Sequence, residues 1–169
     1  MLQRLRRILR HRWFDEADTR RAVAPEVLER LGRRVAASER RHSGEVRIYV
    51  EGGLPMSYLW QDRTPLERAV AMFSKLGVWD TAQNNGVLIY LLLAERAIEI
   101  VADRGLNAHV NPQEWKEIVG RMSTAFRDGR FEDGLTQALE EVSALLVQHF
   151  PLEEGADNPN ELPDEPVLG

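Results

Sequence analysis

The chain has 169 residues, 43% of them hydrophobic, no cysteine and a formal net charge of −5. That length suits one domain with a real core, and that apolar share excludes wholesale disorder. The missing thiols exclude a disulfide framework and any thiolate-held zinc or iron–sulfur centre, and the acidic balance argues against nucleic acid as a ligand.

Charge is unevenly spread. Residues 1–12 carry five arginines and no acid, whereas residues 152–169 carry six acids and no base. Leu2, Leu5, Ile8 and Leu9 recur at helical spacing among Arg4, Arg6, Arg7 and Arg10. Such a basic amphipathic segment suits a foothold on an anionic membrane surface, or a terminal helix packed on the domain or fraying from it. It lacks the apolar core of a secretory signal, and the longest apolar run, Val87 to Ala94, is too short to span a bilayer. The expected location is the cytoplasm, with peripheral contact at the inner membrane as an extension.

Pro25 sits at the first turn of a helix whose stripe is Val27, Leu28, Leu31 and Val35, running to about Arg41 and stopped by Gly44. Glu45 to Glu51 alternates, with Val46, Ile48 and Val50 on one face, and predicts a half-buried strand. Leu54 to Asp62 reads as an irregular loop. Thr64-Pro65-Leu66-Glu67 is a capping box opening a second helix, which Gly77 stops. Val87 to Leu93 is apolar on both faces, as a central strand must be, and Ile98 to Ala102 returns as its antiparallel neighbour. Asn111-Pro112-Gln113-Glu114 caps a helix carrying Trp115, Ile118, Val119, Met122 and Phe126. Asp128-Gly129 breaks the chain before a last long helix from Phe131 to Phe150-Pro151. The remainder holds Pro159, Pro163 and Pro166 among its acids. The chain thus divides into a basic segment over 1–24, an α/β domain over 25–151 and an acidic tail over 152–169 that is expected to be disordered.

The expected fold is α/β, a mixed sheet of three to four strands with helices on both faces, in three α/β/α layers. The first two strands should be parallel, so both begin at the edge where the third ends. His42-Ser43-Gly44, the loop 79–86 and the loop 103–111 should therefore converge. Asp80, Asn84, Asn85 and Asp103 offer oxygen donors there that suit a hard cation, Ca2+ or Mg2+. Arg104 and His42 offer positive groups for a small anion, beside the free amides of a helix start. The same residue types are ordinary turn and cap formers. Glycine-rich phosphate loops, nucleophile elbows and HExxH are absent.

Ser43-Gly44-Glu45-Val46-Arg47-Ile48-Tyr49-Val50, Asn84-Asn85-Gly86-Val87-Leu88-Ile89-Tyr90, Ile98 to Leu106 and Phe126-Arg127-Asp128-Gly129-Arg130-Phe131 resemble, in this order, four motifs of the TPM-domain family. The resemblance covers about residues 26–148. Trp79-Asp80-Thr81 and Asn160-Glu161-Leu162-Pro163-Asp164 are similar to features of a short bacterial branch without signal peptide or membrane helix. The resemblance implies links to membrane complexes and photosystem repair, acid phosphatase activity in some members and divalent-cation binding near these loops in others. Asn84 stands where the family has aspartate, Asn107 where it has glutamate, Arg104 where it has tyrosine and Asp103 where it has glycine. Two acidic positions are thus neutral. The leading expectation is a non-catalytic interaction or accessory protein, with a protein partner and an anionic membrane surface in reach. The alternatives are a metal-assisted phosphatase using Asp80 and Asp103 with Asn84 and Asn85, and a module sensing a small anion or cation.

Overall fold

In the computed structural model, which describes residues 2–153 and 155–169, strand β2 (Gly86–Leu92) is buried along its whole length. Strand β1 (Glu45–Glu51) runs parallel to it, from Glu45 opposite Gly86 to Glu51 opposite Leu92. Strand β3 (Ala97–Ala102) runs antiparallel on the other side, with Val87 opposite Ala102. A short β4 (Val167–Leu168) pairs with β1, giving the order β3-β2-β1-β4. The mixed sheet expected from the sequence is therefore present.

Period-two alternation sends the strands' side chains into two cores. Val46, Ile48, Val50, Val87, Ile89 and Leu91 face one side. There they meet Leu31 and Val35 of α3 (Pro25–Glu39), Met122 and Phe126 of α7 (Pro112–Arg127) and Leu139 and Val142 of α8 (Phe131–His149). Tyr49, Leu88, Tyr90 and Leu92 face the other side. Leu59 of α4 (Met56–Trp60) and Ala69 and Met72 of α5 (Pro65–Lys75) cover them. Each such aliphatic or aromatic side chain contributes about 1.5–3 kcal/mol when fully buried. Both faces are thus helix-covered, and the three layers follow.

The local punctuation acts as its chemistry requires. Thr64 accepts from the Glu67 amide, and Glu67 accepts in return from the Thr64 amide. Asn111 accepts from the Glu114 amide at 2.9 Å. Gly77 and Gly129 take φ of +67° and +76°, where a β-carbon would be strained.

Three expectations need correction. Strand β1 is not half-buried: Glu45, Arg47, Tyr49 and Glu51 are as enclosed as the apolar residues between them. Residues 155–169 do not form the disordered tail expected; Leu162 is 9% exposed, and the segment lies over that polar face of β1. Arg47 donates to the carbonyls of Pro163 and Glu165, and the Leu162 amide donates to Glu45 Oε2 at 3.0 Å. The physical reason is satisfaction of buried polar groups. The strand's charges need partners, and the proline-rich tail supplies carbonyls on an extended backbone. Glu51 is satisfied from elsewhere, by Arg68 at 2.5 Å and the Tyr90 hydroxyl at 2.7 Å. Finally, the irregular loop over 54–62 contains the short helix α4.

Within the basic segment, Leu2–Arg12 and Glu16–Ala22 form two helices, α1 and α2. Arg7 bonds Glu95 at 2.7 Å and Asp62 at 3.0 Å. His11 is buried, accepts at Nδ1 from the Leu54 amide and donates from Nε2 to Glu95 at 2.8 Å. Among the described residues no helix is long and apolar enough to cross a membrane.

Glu39, at the end of α3, accepts from the Val46 amide at 2.8 Å while almost fully buried. Burial first, and then the neighbouring carboxylates of Glu45 and Asp164, push its carboxyl from 4.5 up to about 9. The folded protein therefore holds one more proton than the unfolded chain between those values, and stability falls as pH rises through that window. His42 acts with the opposite sign, because burial lowers it to about 4, but its contribution is complete above about pH 6.5. Urea unfolding near pH 7 and again near pH 8.5 should show stability falling by up to about 1.4 kcal/mol per pH unit. In Glu39→Gln that slope should flatten. An unchanged slope would assign the effect to another group.

Candidate functional site

The parallel β1–β2 pair and the antiparallel β3 bring three loops to one rim, as the topology requires. Ser43 Oγ donates to Gln83 Oε1 at 3.0 Å, and Asn85 Nδ2 donates to Ser43 Oγ at 3.2 Å. The Asp103 amide donates to Gly86 O at 2.9 Å and the Gly105 amide to Asn84 O at 2.8 Å. The Arg104 guanidinium donates to Asn84 Oδ1 at 3.0 Å. Asn84, Asn85, Asp103 and Arg104 are thus one cluster, with Ser43 and Gln83 as members that no residue-type argument singled out. Asn84 takes φ +52°, a left-handed conformation that asparagine tolerates.

The turn after β3 is a short helix, α6 (Arg104–Asn107). Asp103 Oδ1 caps it by accepting from the Arg104 amide at 2.7 Å. Asn107 donates to Ala102 O at 2.6 Å and accepts from the Trp115 indole at 3.0 Å. Two glycines let the loops touch. A β-carbon on Gly105 would lie 2.4 Å from Asn84 O and 2.6 Å from Gln83 O. One on Gly86 would lie 2.0 Å from Val78 O.

Two of the expected site residues lie apart from this network. Asp80 is exposed, and its carboxylate makes no hydrogen bond or ion pair among the described residues. His42 is fully buried and donates from Nδ1 to Gly44 O at 3.0 Å. Burial pulls its pKa down to about 4, so the ring is neutral near pH 7 and, of the two expected anion-binding groups, Arg104 is the one that carries positive charge. Asn85 Oδ1, Asp103 Oδ2 and His42 Nε2 are buried with no hydrogen-bond partner among the described residues. Among the described residues no group of three or more His, Asp or Glu is placed to hold a metal ion.

A second feature lies on α1. Leu2, Leu5, Leu9 and Trp13 are 74, 56, 52 and 83% exposed. They form one ridge, because the Trp13 amide still donates to Leu9 O and prolongs the helical turn. Arg7, Ile8 and His11 point the other way, onto the domain. The amphipathic spacing signalled the helix, but not that its leucines would face outward.

The model of the TPM domain matches residues 17–145. The chain belongs to the TPM-domain family. The BA42 protein of the psychrophilic bacterium Bizionia argentinensis, solved by NMR, is similar at 26% identity and a TM-score of 0.74, over 87% of this chain and 95% of that one. The N-terminal domain of a P. gingivalis protein shares the fold at 20% identity and a TM-score of 0.64, over 83% of this chain and 86% of that one. No curated protein matches. The TPM match begins after α1 and ends before the tail, so the exposed ridge and the strap over β1 both lie outside it.

The rim's contacts predict a measurable weakness. Gly105→Ala should lower stability by about 1–3 kcal/mol in chemical denaturation, because backbone oxygens rather than flexible side chains meet the new methyl. A neutral substitution there would mean that the loops are not apposed.

Proposed function

We propose that this TPM-domain protein is a non-catalytic interaction protein that seats α1 on an anionic membrane surface and presents its domain to a protein partner. The supporting observation is the ridge Leu2, Leu5, Leu9 and Trp13, apolar and turned to solvent. Arg6, Arg10 and Arg12 flank it and make no hydrogen bond or ion pair among the described residues. Nothing acidic lies on this helix. A helix serving only as a lid would turn its leucines inward; here Arg7 and His11 do the anchoring.

The energetics suit a reversible contact. Partial burial of four large side chains yields a few kcal/mol at about 25 cal/mol per Å2. Each basic side chain near an anionic surface adds about 1 kcal/mol, screened by salt. The protein should sediment with phosphatidylserine-containing vesicles at low salt, and less with neutral vesicles or at high salt. The Leu5→Asp/Leu9→Asp double variant, altered only at exposed positions, should stay in the supernatant. Equal behaviour of the two proteins removes the membrane reading.

A second reading rests on the orphan oxygens at the rim. Asn85 Oδ1 and Asp103 Oδ2 are buried acceptors without donors, and a Ca2+ or Mg2+ ion is one group that satisfies such atoms. The donor set is weakly charged, since Arg104 sits beside it and Asp80 stands apart, so any such affinity is low. Metal-assisted phosphomonoester hydrolysis has less support still, lacking a second carboxylate in the cluster. Millimolar CaCl2 or MgCl2 should raise the melting temperature if an ion binds. Asp103→Asn, which keeps the α6 cap, should abolish the shift. A shift that survives the substitution places the ion elsewhere.

A further inference from the structure

Strand β3 ends the sheet, and among the described residues no further strand pairs with its outer edge. The Asp103 amide donates to Gly86 O, which sets the pairing phase with β2. Ala97, Glu99 and Val101 therefore turn their backbone groups toward β2, while Ile98, Ile100 and Ala102 turn theirs outward. Asn107 takes the Ala102 carbonyl. The amides of Ile98, Ile100 and Ala102 and the carbonyls of Ile98 and Ile100 have no hydrogen-bond partner among the described residues. An open edge is normally blunted by charge, proline or a covering element. Here it forms the floor of a cleft of about 620 Å3.

The cleft's walls are apolar. Leu66 and Val70 of α5 stand on one side, 47 and 49% exposed. Trp115, Val119 and Gly120 of α7 stand on the other. Gly120 lies inside a helix, where glycine costs about 1 kcal/mol relative to alanine. A β-carbon there would meet nothing within 4 Å, so the chain's own packing does not call for glycine. What glycine provides is width at the cleft wall.

We infer that this cleft binds an extended apolar segment of a partner protein, which adds to β3 as a further strand. The outward donors and acceptors recur every second residue, a pattern that a strand's backbone complements. Alternate side chains of the incoming strand would then meet the α5 wall and the α7 wall, so apolar residues are required on both of its faces. Glu99, held above its usual carboxylate range by burial, lines the cleft and favours a hydrogen-bond donor or basic side chain opposite it. A second copy of this chain fits less well. Pairing β3 with β3 would bring another α5 and α7 against these walls.

The test selects heptapeptides from a random displayed library on the full-length chain and measures synthetic versions by fluorescence anisotropy and amide hydrogen exchange. Selected peptides should be apolar and extended, and should slow exchange at Ile98 and Ile100 at least tenfold. N-methylation of alternate peptide amides should abolish binding. Gly120→Leu should weaken binding at least tenfold while the melting temperature holds or rises, which separates a filled cleft from a misfolded protein. A library that yields no binder overturns the inference. So does binding that Gly120→Leu leaves intact or that leaves Ile98 and Ile100 unprotected. A wild-type dimer that Gly120→Leu dissociates also overturns it, by making the cleft a self-contact.

Discussion

Everything in this domain is arranged around the need to keep β2 dry. Seven consecutive residues, Gly86–Leu92, are buried, and their side chains alternate between two cores. A strand that is apolar on both faces cannot sit at a surface, so helices must close over each side. The layers follow from that requirement, and so does the rim. The loops before β1, before β2 and after β3 meet because the strands they serve flank one another. The hydrogen bonds among Ser43, Gln83, Asn84, Asn85 and Arg104 are the local expression of a constraint set several residues away.

The polar side of β1 is the exception to this apolar economy. Glu45, Arg47 and Glu51 are enclosed, and each finds a different kind of partner: a backbone amide, two carbonyls and a guanidinium with a phenol. Removing one member of such a set leaves a buried charge exposed to nothing that can solvate it. The tail over this face is therefore structural, although its composition is that of a linker. Composition reports what a segment can bury by itself; it does not report what it can satisfy elsewhere.

The same distinction separates what could be read in the residues from what could not. The capping box at Thr64, the stop at Gly77 and the cap at Asn111 are local chemistry, complete within a few residues, and each was legible. So was the parallel–antiparallel arrangement, because the helix between β1 and β2 dictates it. The burial of Glu45 and Arg47 was not legible, since their partners lie more than 110 positions away. At the rim, the grouping of Asn84, Asn85, Asp103 and Arg104 followed from topology. The withdrawal of His42 into the core did not, because whether a loop side chain turns inward depends on packing that spacing does not encode. The outward ridge on α1 was hidden for a related reason. An amphipathic stripe identifies a face but not its direction when charged residues can anchor the opposite face.

The pairing of β4 with β1 has a consequence for how the chain matures. Val167 and Leu168 meet Tyr49 and Val50, which precede them by more than 110 positions. Contacts of such separation form late, because the intervening chain must be ordered before they are rewarded. During synthesis, the segment that completes β1's outer edge leaves the ribosome long after β1 itself. Until then the strand is open along its flank and its carboxylates and guanidinium remain accessible to water. Those charges then serve a second purpose: they keep a nascent, unpaired edge from being a flat apolar template for other chains.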